Sequence, residues 1–120
     1  MKIPDDSTRS FIQLHRHDNI HNLALQNERY PDVDMDLALR QIAGFQKAKL
    51  KLPSLATCKY FYYPSSEALE QCSSEQTASY KSRLLKGATV IDLTGGLGID
   101  TFYFAREATK VDYVEQYIEL

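Results

Sequence analysis

VIDLTGGLGID, residues 90–100, is the stretch on which the reading of this chain turns. Gly95, Gly96 and Gly98 stand directly behind a short apolar run that is closed by a carboxylate, Asp92. Ala88 to Leu93 is β-branched and apolar, with the length of a buried parallel strand. Past the glycines, Ile99, Phe102, Tyr103 and Ala105 return to helical spacing, and Lys110 to Val114 reads as a second strand with Glu115 at its tip.

Strand, glycine turn, helix and a second strand with an acidic tip form the opening unit of a nucleotide-binding α/β sheet. Glycines let the backbone pass close under a ligand and adopt positive φ, and the new helix offers unpaired N–H groups. A carboxylate at the second strand tip can accept both hydroxyls of an adenosine ribose. Two ligands fit that frame, a dinucleotide and S-adenosylmethionine. A pyrophosphate over the turn would be repelled by Asp92, whereas S-adenosylmethionine carries an ammonium and a sulfonium and no phosphate. Asp92 therefore favours the methyl donor. As a dinucleotide fingerprint, Gly96 to Thr101 also ends in Thr where Gly or Ala is expected.

Upstream of this unit the pattern is helical. Phe11, Leu14, Ile20, Leu23 and Ala24 fit one face of a helix, or of two short helices broken near Asp18-Asn19, ending before Pro31. Asp32 and Asp34 can cap a second amphipathic helix, through Met35, Ala38, Leu39, Ile42 and Phe45 to about Leu50, which Pro53 stops. CKYFYYP, residues 58–64, has no helical spacing and predicts an extended segment or short strand. Ser65 or Ser66 can cap a turn through Glu67 to Glu70. Ser73 with Gln76 makes a capping box for a helix to about Leu85, closed by Lys86-Gly87 with Gly87 left-handed.

Length and charge bound the rest. At 120 residues with 43% hydrophobic content there is room for one domain with a modest core. Fourteen Lys and Arg against sixteen Asp and Glu give a net charge of −2, which excludes a global basic field, so any nucleic-acid contact has to be local. Cys58 and Cys72 form no framework, and MKIPDDSTRS lacks a signal-peptide core, so a reducing cytoplasm is the expected compartment. No apolar run approaches the roughly 18 to 20 residues that cross a bilayer.

The glycine stretch resembles the first motif of class I S-adenosylmethionine-dependent methyltransferases, an acidic residue followed by spaced glycines, with Glu115 matching their second acidic motif. Thr94 stands where that motif usually has its first glycine. Together with EQCSSEQTASYKSRLL (70–85), QKAKLKLP (46–53) and YVEQ, the chain resembles a bacterial group of methyltransferases with a helical N-terminal region and a THUMP-like C-terminal domain. The resemblance covers nearly all of the chain. It implies an α/β fold with a helical region over 1–86, followed over 87–120 by the first β-α-β unit of an incomplete Rossmann-like sheet. By it, Asp92, Thr94, Gly95, Gly96 and Gly98 lie along the methionine part of S-adenosylmethionine and Glu115 holds the ribose. Ser74, Glu75 and Thr77, before the first strand, close over the methionine end.

The resemblance further implies a nucleic-acid acceptor, RNA first. Such a sheet normally has seven strands, so the chain reads as an N-terminal piece of a longer protein, with the acceptor groups beyond residue 120. A lone strand-helix-strand unit leaves apolar sheet surface and an edge uncovered, and should lean on its helices, dimerise or swap elements. It should also bind cofactor weakly or not at all by itself, because the adenine side of the pocket is absent. Two rivals from other classes are a helical interaction module whose glycine turn is only structural, and a nicotinamide-dependent oxidoreductase.

Other residue groups have plain readings beside functional ones. His15, His17 and His21 invite a metal, His17 and His21 as an i, i+4 pair, but without a completing Glu or Cys they read as solvated or core histidines. Lys47, Lys49 and Lys51 could touch RNA phosphate, and read first as a solvated helix face. The cluster Tyr60 to Tyr63 could stack a base, and reads first as a packed seam. Asp100 reads as a complement to the helix dipole.

Overall fold

The computed structural model describes residues 2–59 and 61–117. Helix α1 (Asp6–His15) starts at Asp5, whose carboxylate accepts the Thr8 N–H at 2.8 Å. The buried Thr8 hydroxyl accepts the Asp34 N–H at 3.0 Å, and Asp34 in turn caps α3 (Met35–Lys51) through the Leu37 N–H at 3.1 Å. One hydroxyl thus ties the starts of two helices.

The chain breaks between α1 and α2 (Ile20–Ala24) where the spacing predicts, with Asn19 capping α2. A 3-10 turn at Asn27–Arg29 leads back to α3. Phe11, Leu23, Met35, Ala38 and Ile42 form the core between these helices. Leu14, expected on the apolar face, is exposed instead.

Pro53 does more than stop α3: it is the first residue of α4 (Pro53–Ala56), where its missing N–H costs nothing. The strand expected within 58–64 does not form among the described residues, and Tyr60 lies outside them. A strand needs a ladder partner, and here the backbone groups of Tyr63 are taken by a side chain. Gln41 donates to the Tyr63 carbonyl at 2.9 Å and accepts its N–H at 2.8 Å.

Helix α5 (Ser66–Gln71) is capped by Ser65. Helix α6 (Glu75–Leu84) is capped by Ser74, not by Ser73 as the capping-box spacing predicts, because Ser73 is drawn away to Asp100. Gly87 then turns the chain at φ 73°, as expected of a left-handed cap.

Strands β1 (Thr89–Asp92) and β2 (Lys110–Tyr113) pair in parallel, Thr89 opposite Lys110 and Asp92 opposite Tyr113, joined through α7 (Ile99–Glu107). Among the described residues the result is a mixed helical fold with one two-stranded parallel sheet, compatible with part of an α/β protein. β1 is not the buried strand that its composition predicts. Ile91 is 60% exposed and Leu93 72%: α7 packs on the strands, burial alternates along β1, and the face that carries Ile91 is left open among the described residues.

Helix α6 packs on α7, and Ile99 joins Ala48, Leu52, Tyr63, Leu69 and Ala78 in a second core. Helix α3 is the spine, with Ile42 in the first core and Ala48 in the second. The molecule is long, 54 × 26 × 21 Å, and its radius of gyration of 16.6 Å exceeds the about 14 Å of a compact chain this size. No helix among the described residues is long and apolar enough to cross a membrane.

Candidate cofactor site at the glycine turn

The site is built where β1 ends and α7 begins. The ladder runs on past both strands: the Val114 N–H bonds the Asp92 carbonyl at 2.8 Å, and the Gly95 N–H bonds the Val114 carbonyl at 2.9 Å. The turn is therefore stitched to the exit of β2. Gly98 sits at φ 76° and caps α7 without a side chain, a conformation that favours glycine.

Gly95 is needed for a different reason. A Cβ there would stand 2.1 Å from the Tyr113 ring, which presses on the turn while its hydroxyl donates to the Gly96 carbonyl at 2.6 Å. Burial, and after it the Glu115 and Asp92 carboxylates, push the Tyr113 phenol above its ordinary pKa, so it stays an O–H donor.

Two carboxylates flank the turn. Glu115 accepts the Gly96 N–H at 2.6 Å and the Tyr117 N–H at 2.9 Å, one on each oxygen. These backbone donors, Tyr117 first, hold its pKa below the usual glutamate value. Asp92 accepts the Thr94 N–H at 3.2 Å on one oxygen and the Thr101 hydroxyl at 2.7 Å on the other. A carboxylate offers about four lone-pair sites, so each of the two retains acceptor capacity toward a ligand. Leu93 and Thr94 are exposed, and the turn opens to solvent.

Asp92, Thr94, Gly95, Gly96, Gly98 and Glu115 are thus brought together around one turn. Ser74, Glu75 and Thr77 stand at the start of α6 and are engaged in the fold. The Ser74 hydroxyl accepts the Thr77 N–H at 3.1 Å and lies 2.9 Å from the Thr77 hydroxyl. Glu75 accepts the Ser54 and Leu55 N–H groups at 2.7 and 3.3 Å and the Ser54 hydroxyl at 2.9 Å, capping α4 from a distant helix.

What the sequence reading missed is the brace joining α6 to this site. The Ser73 hydroxyl donates to Asp100 at 2.7 Å, and Lys81 donates to both, at 2.9 Å to Ser73 and 2.8 Å to Asp100. Asp100 is therefore not merely a dipole complement: it pins the first turn of α7 to α6. No local spacing marks it, because Ser73 precedes α6 and its partner Asp100 stands 27 residues further along the chain.

The histidines do not assemble. His17 lies in the turn after α1, so the expected i, i+4 pairing with His21 on one helix does not exist. His15 bonds Asp18 at 2.7 Å and stacks on Phe11, and His17 packs edge-on to Phe45. Among the described residues no cluster of His, Cys, Asp and Glu is arranged for a metal. Lys47 and Lys49 are exposed, as expected of a solvated helix face, while Lys47 also reaches Ser66 and Glu70, and Lys51 the Leu69 and Glu70 carbonyls, which ties α5 to α3.

No family model matches the chain. No curated protein matches it either. Among solved structures it is similar to the crystal structure of a putative methyltransferase from Porphyromonas gingivalis W83, with a TM-score of 0.71 and 33% sequence identity. The match covers 94% of this chain and 28% of that one, so the chain spans a little over a quarter of its neighbour's length. To that extent its fold is methyltransferase-like.

Proposed function

We propose that the glycine turn is one half of an S-adenosylmethionine site, and that the protein carrying it is a class I, Rossmann-like methyltransferase acting on nucleic acid, RNA first. The observation that carries this reading is the pair of carboxylates on one glycine turn, Asp92 and Glu115, each bonded on both oxygens to the turn or its flanks. A doubly anionic rim suits a ligand with an ammonium, a sulfonium and a ribose diol, and disfavours the pyrophosphate of a dinucleotide. The similarity to a methyltransferase segment supports the same reading. The resemblance to the bacterial group with a THUMP-like domain supports the acceptor class.

In this reading Asp92 faces the methionine end, Gly95 and Gly96 let the backbone approach the ligand, and Glu115 accepts the ribose hydroxyls. Bound there, S-adenosylmethionine would supply a methyl group activated by its sulfonium. Glu115 is pre-set for its role, because the Gly96 and Tyr117 N–H groups keep it ionised and oriented before any ligand arrives. The Tyr113 ring and hydroxyl hold the turn at its height. Methyl transfer depends mainly on aligning donor and acceptor, and these residues do the donor half of that alignment.

The test is calorimetric titration of S-adenosylhomocysteine and NAD into the product of the full reading frame that encodes this chain. Binding of the first without the second, weakened about ten-fold or more by Glu115→Gln, is the expected result. Binding of NAD alone, or indifference to Glu115→Gln, would remove the reading.

A further inference from the structure

Ser74, Glu75 and Thr77 are taken up by helix capping, yet the segment that carries them reaches the glycine turn by another route. The route begins at Ser73 and Lys81. The Ser73 hydroxyl donates to one Asp100 oxygen at 2.7 Å, and the Lys81 ammonium lies 2.8 Å from each of the two. Lys81 also donates to the Ser73 hydroxyl at 2.9 Å, so the three side chains close a ring. The second Asp100 oxygen is buried and makes no hydrogen bond among the described residues, so the ammonium beside it is what balances its charge.

Asp100 is the second residue of α7, and the residue after it continues the path. Thr101 donates its hydroxyl to Asp92 at 2.7 Å. The other Asp92 oxygen has the longer contact to the Thr94 N–H, 3.2 Å, so Thr101 is the stronger of the two donors that orient this carboxylate. A β-branched side chain has few rotamers in a helix, so where the first turn of α7 is set, the Thr101 hydroxyl is set with it. Two other features leave that setting open. Gly98 caps α7 without a side chain, and the shared core of Ala78 and Ile99 joins α6 to α7 by apolar contact, which fixes a distance and has no direction. The ring of Ser73, Lys81 and Asp100 supplies the direction, fixing the rotation of α7 about its own axis.

We propose that Ser73, Lys81 and Asp100 are positioning residues for the cofactor: they set the first turn of α7 so that Thr101 aims the Asp92 carboxylate at the ammonium of the methionine end. This rests on the donor reading above and names what tunes it. The segment ahead of β1 thus acts on the ligand at one remove, through α7.

Calorimetric titration of two ligands into the full reading-frame product separates aiming from support of the fold. S-adenosylhomocysteine carries the amino-acid part that Asp92 would meet, whereas methylthioadenosine keeps the adenosine and the thioether and lacks that part. Thr101→Val, which keeps the shape and loses the hydroxyl, should weaken the first about five-fold or more and leave the second within about two-fold. Thr101→Ser should restore native affinity. Lys81→Met and Asp100→Asn should show the same split, and Lys81→Met added to Thr101→Val should weaken binding little further, because both cut one path. Glu115→Gln, at the ribose, should weaken both ligands. With S-adenosylhomocysteine alone, the rescue by Thr101→Ser and the lack of additivity decide the same question. Equal weakening of both ligands by Thr101→Val would make the path a general support and overturn the proposal, as would native affinity in that variant or full additivity with Lys81→Met. The two claims fail separately. A product that binds S-adenosylhomocysteine, is weakened by Glu115→Gln and is indifferent to Thr101→Val removes the positioning alone, whereas a native product that binds neither ligand removes the donor reading and the positioning with it.

Discussion

Glu115 shows how one side chain can be structural and still available. Its carboxylate holds the Gly96 and Tyr117 N–H groups, and those donors lower its pKa below the ordinary 4.5. A depressed carboxylate contributes order that is complete above the ordinary value and is lost as pH falls through the lower folded value. The Gly96 amide proton, followed by NMR, should therefore titrate with a midpoint below 4.5, and a midpoint at or above it would break the assigned hydrogen bond. Gly95 is a second residue whose role is steric. Gly95→Ala forces a Cβ into the Tyr113 ring and should cost about 1–3 kcal/mol in urea unfolding. Pairing it with Tyr113→Ala should recover part of that loss, and strict additivity would show that the ring is not the obstacle. Gln41 is a third: it is buried and fills both backbone groups of Tyr63, so Gln41→Ala should destabilise by about 2 kcal/mol or more. A cost near zero would mean that the clamp is idle.

At the scale of elements, local chemistry made most of the fold legible. The break at Asp18-Asn19, the capping of α3 by Asp34, the left-handed Gly87 and the strand-turn-helix-strand order are each written in a few neighbouring residues. The failures share one cause, a partner distant in sequence. Ser73 left its expected capping role for Asp100, 27 residues away, and the tyrosine-rich segment became irregular because Gln41, 22 residues from Tyr63, replaced a ladder. The candidate site divides the same way. Asp92, the glycines and Glu115 are adjacent through one β-α-β unit and could be read from spacing, whereas the brace of Ser73, Lys81 and Asp100 could not. That brace links α6 to the first turn of α7, and with both charges partly exposed it should be worth about 1 kcal/mol. A double-mutant cycle on Lys81→Met and Asp100→Asn should return coupling of that size, and no coupling would make the pair incidental.

On the scale of the whole molecule, α3 joins two cores end to end and carries a sheet too narrow to cover itself. Ile91, Leu93, Phe102 and Val114 stay exposed around the strands. Large apolar side chains left exposed at the end of a narrow sheet favour association. Sedimentation of the chain should show self-association that rises with concentration and is abolished by Ile91→Lys with Leu93→Lys. A concentration-independent monomer would show the face to be tolerated. β1, the turn and β2 supply an acidic rim and a glycine floor, which under the proposed function are one half of a cofactor site, and the neighbouring methyltransferase extends well beyond the matched segment.

The central claim is that the acidic rim of the glycine turn receives a methyl donor, and calorimetric titration of S-adenosylhomocysteine into the full reading-frame product tests it most directly. Saturable binding that weakens with Glu115→Gln and is not displaced by NAD is the outcome required. Absence of heat at any protein concentration, or binding unaffected by that substitution, would reduce the glycines to a tight turn between two strands.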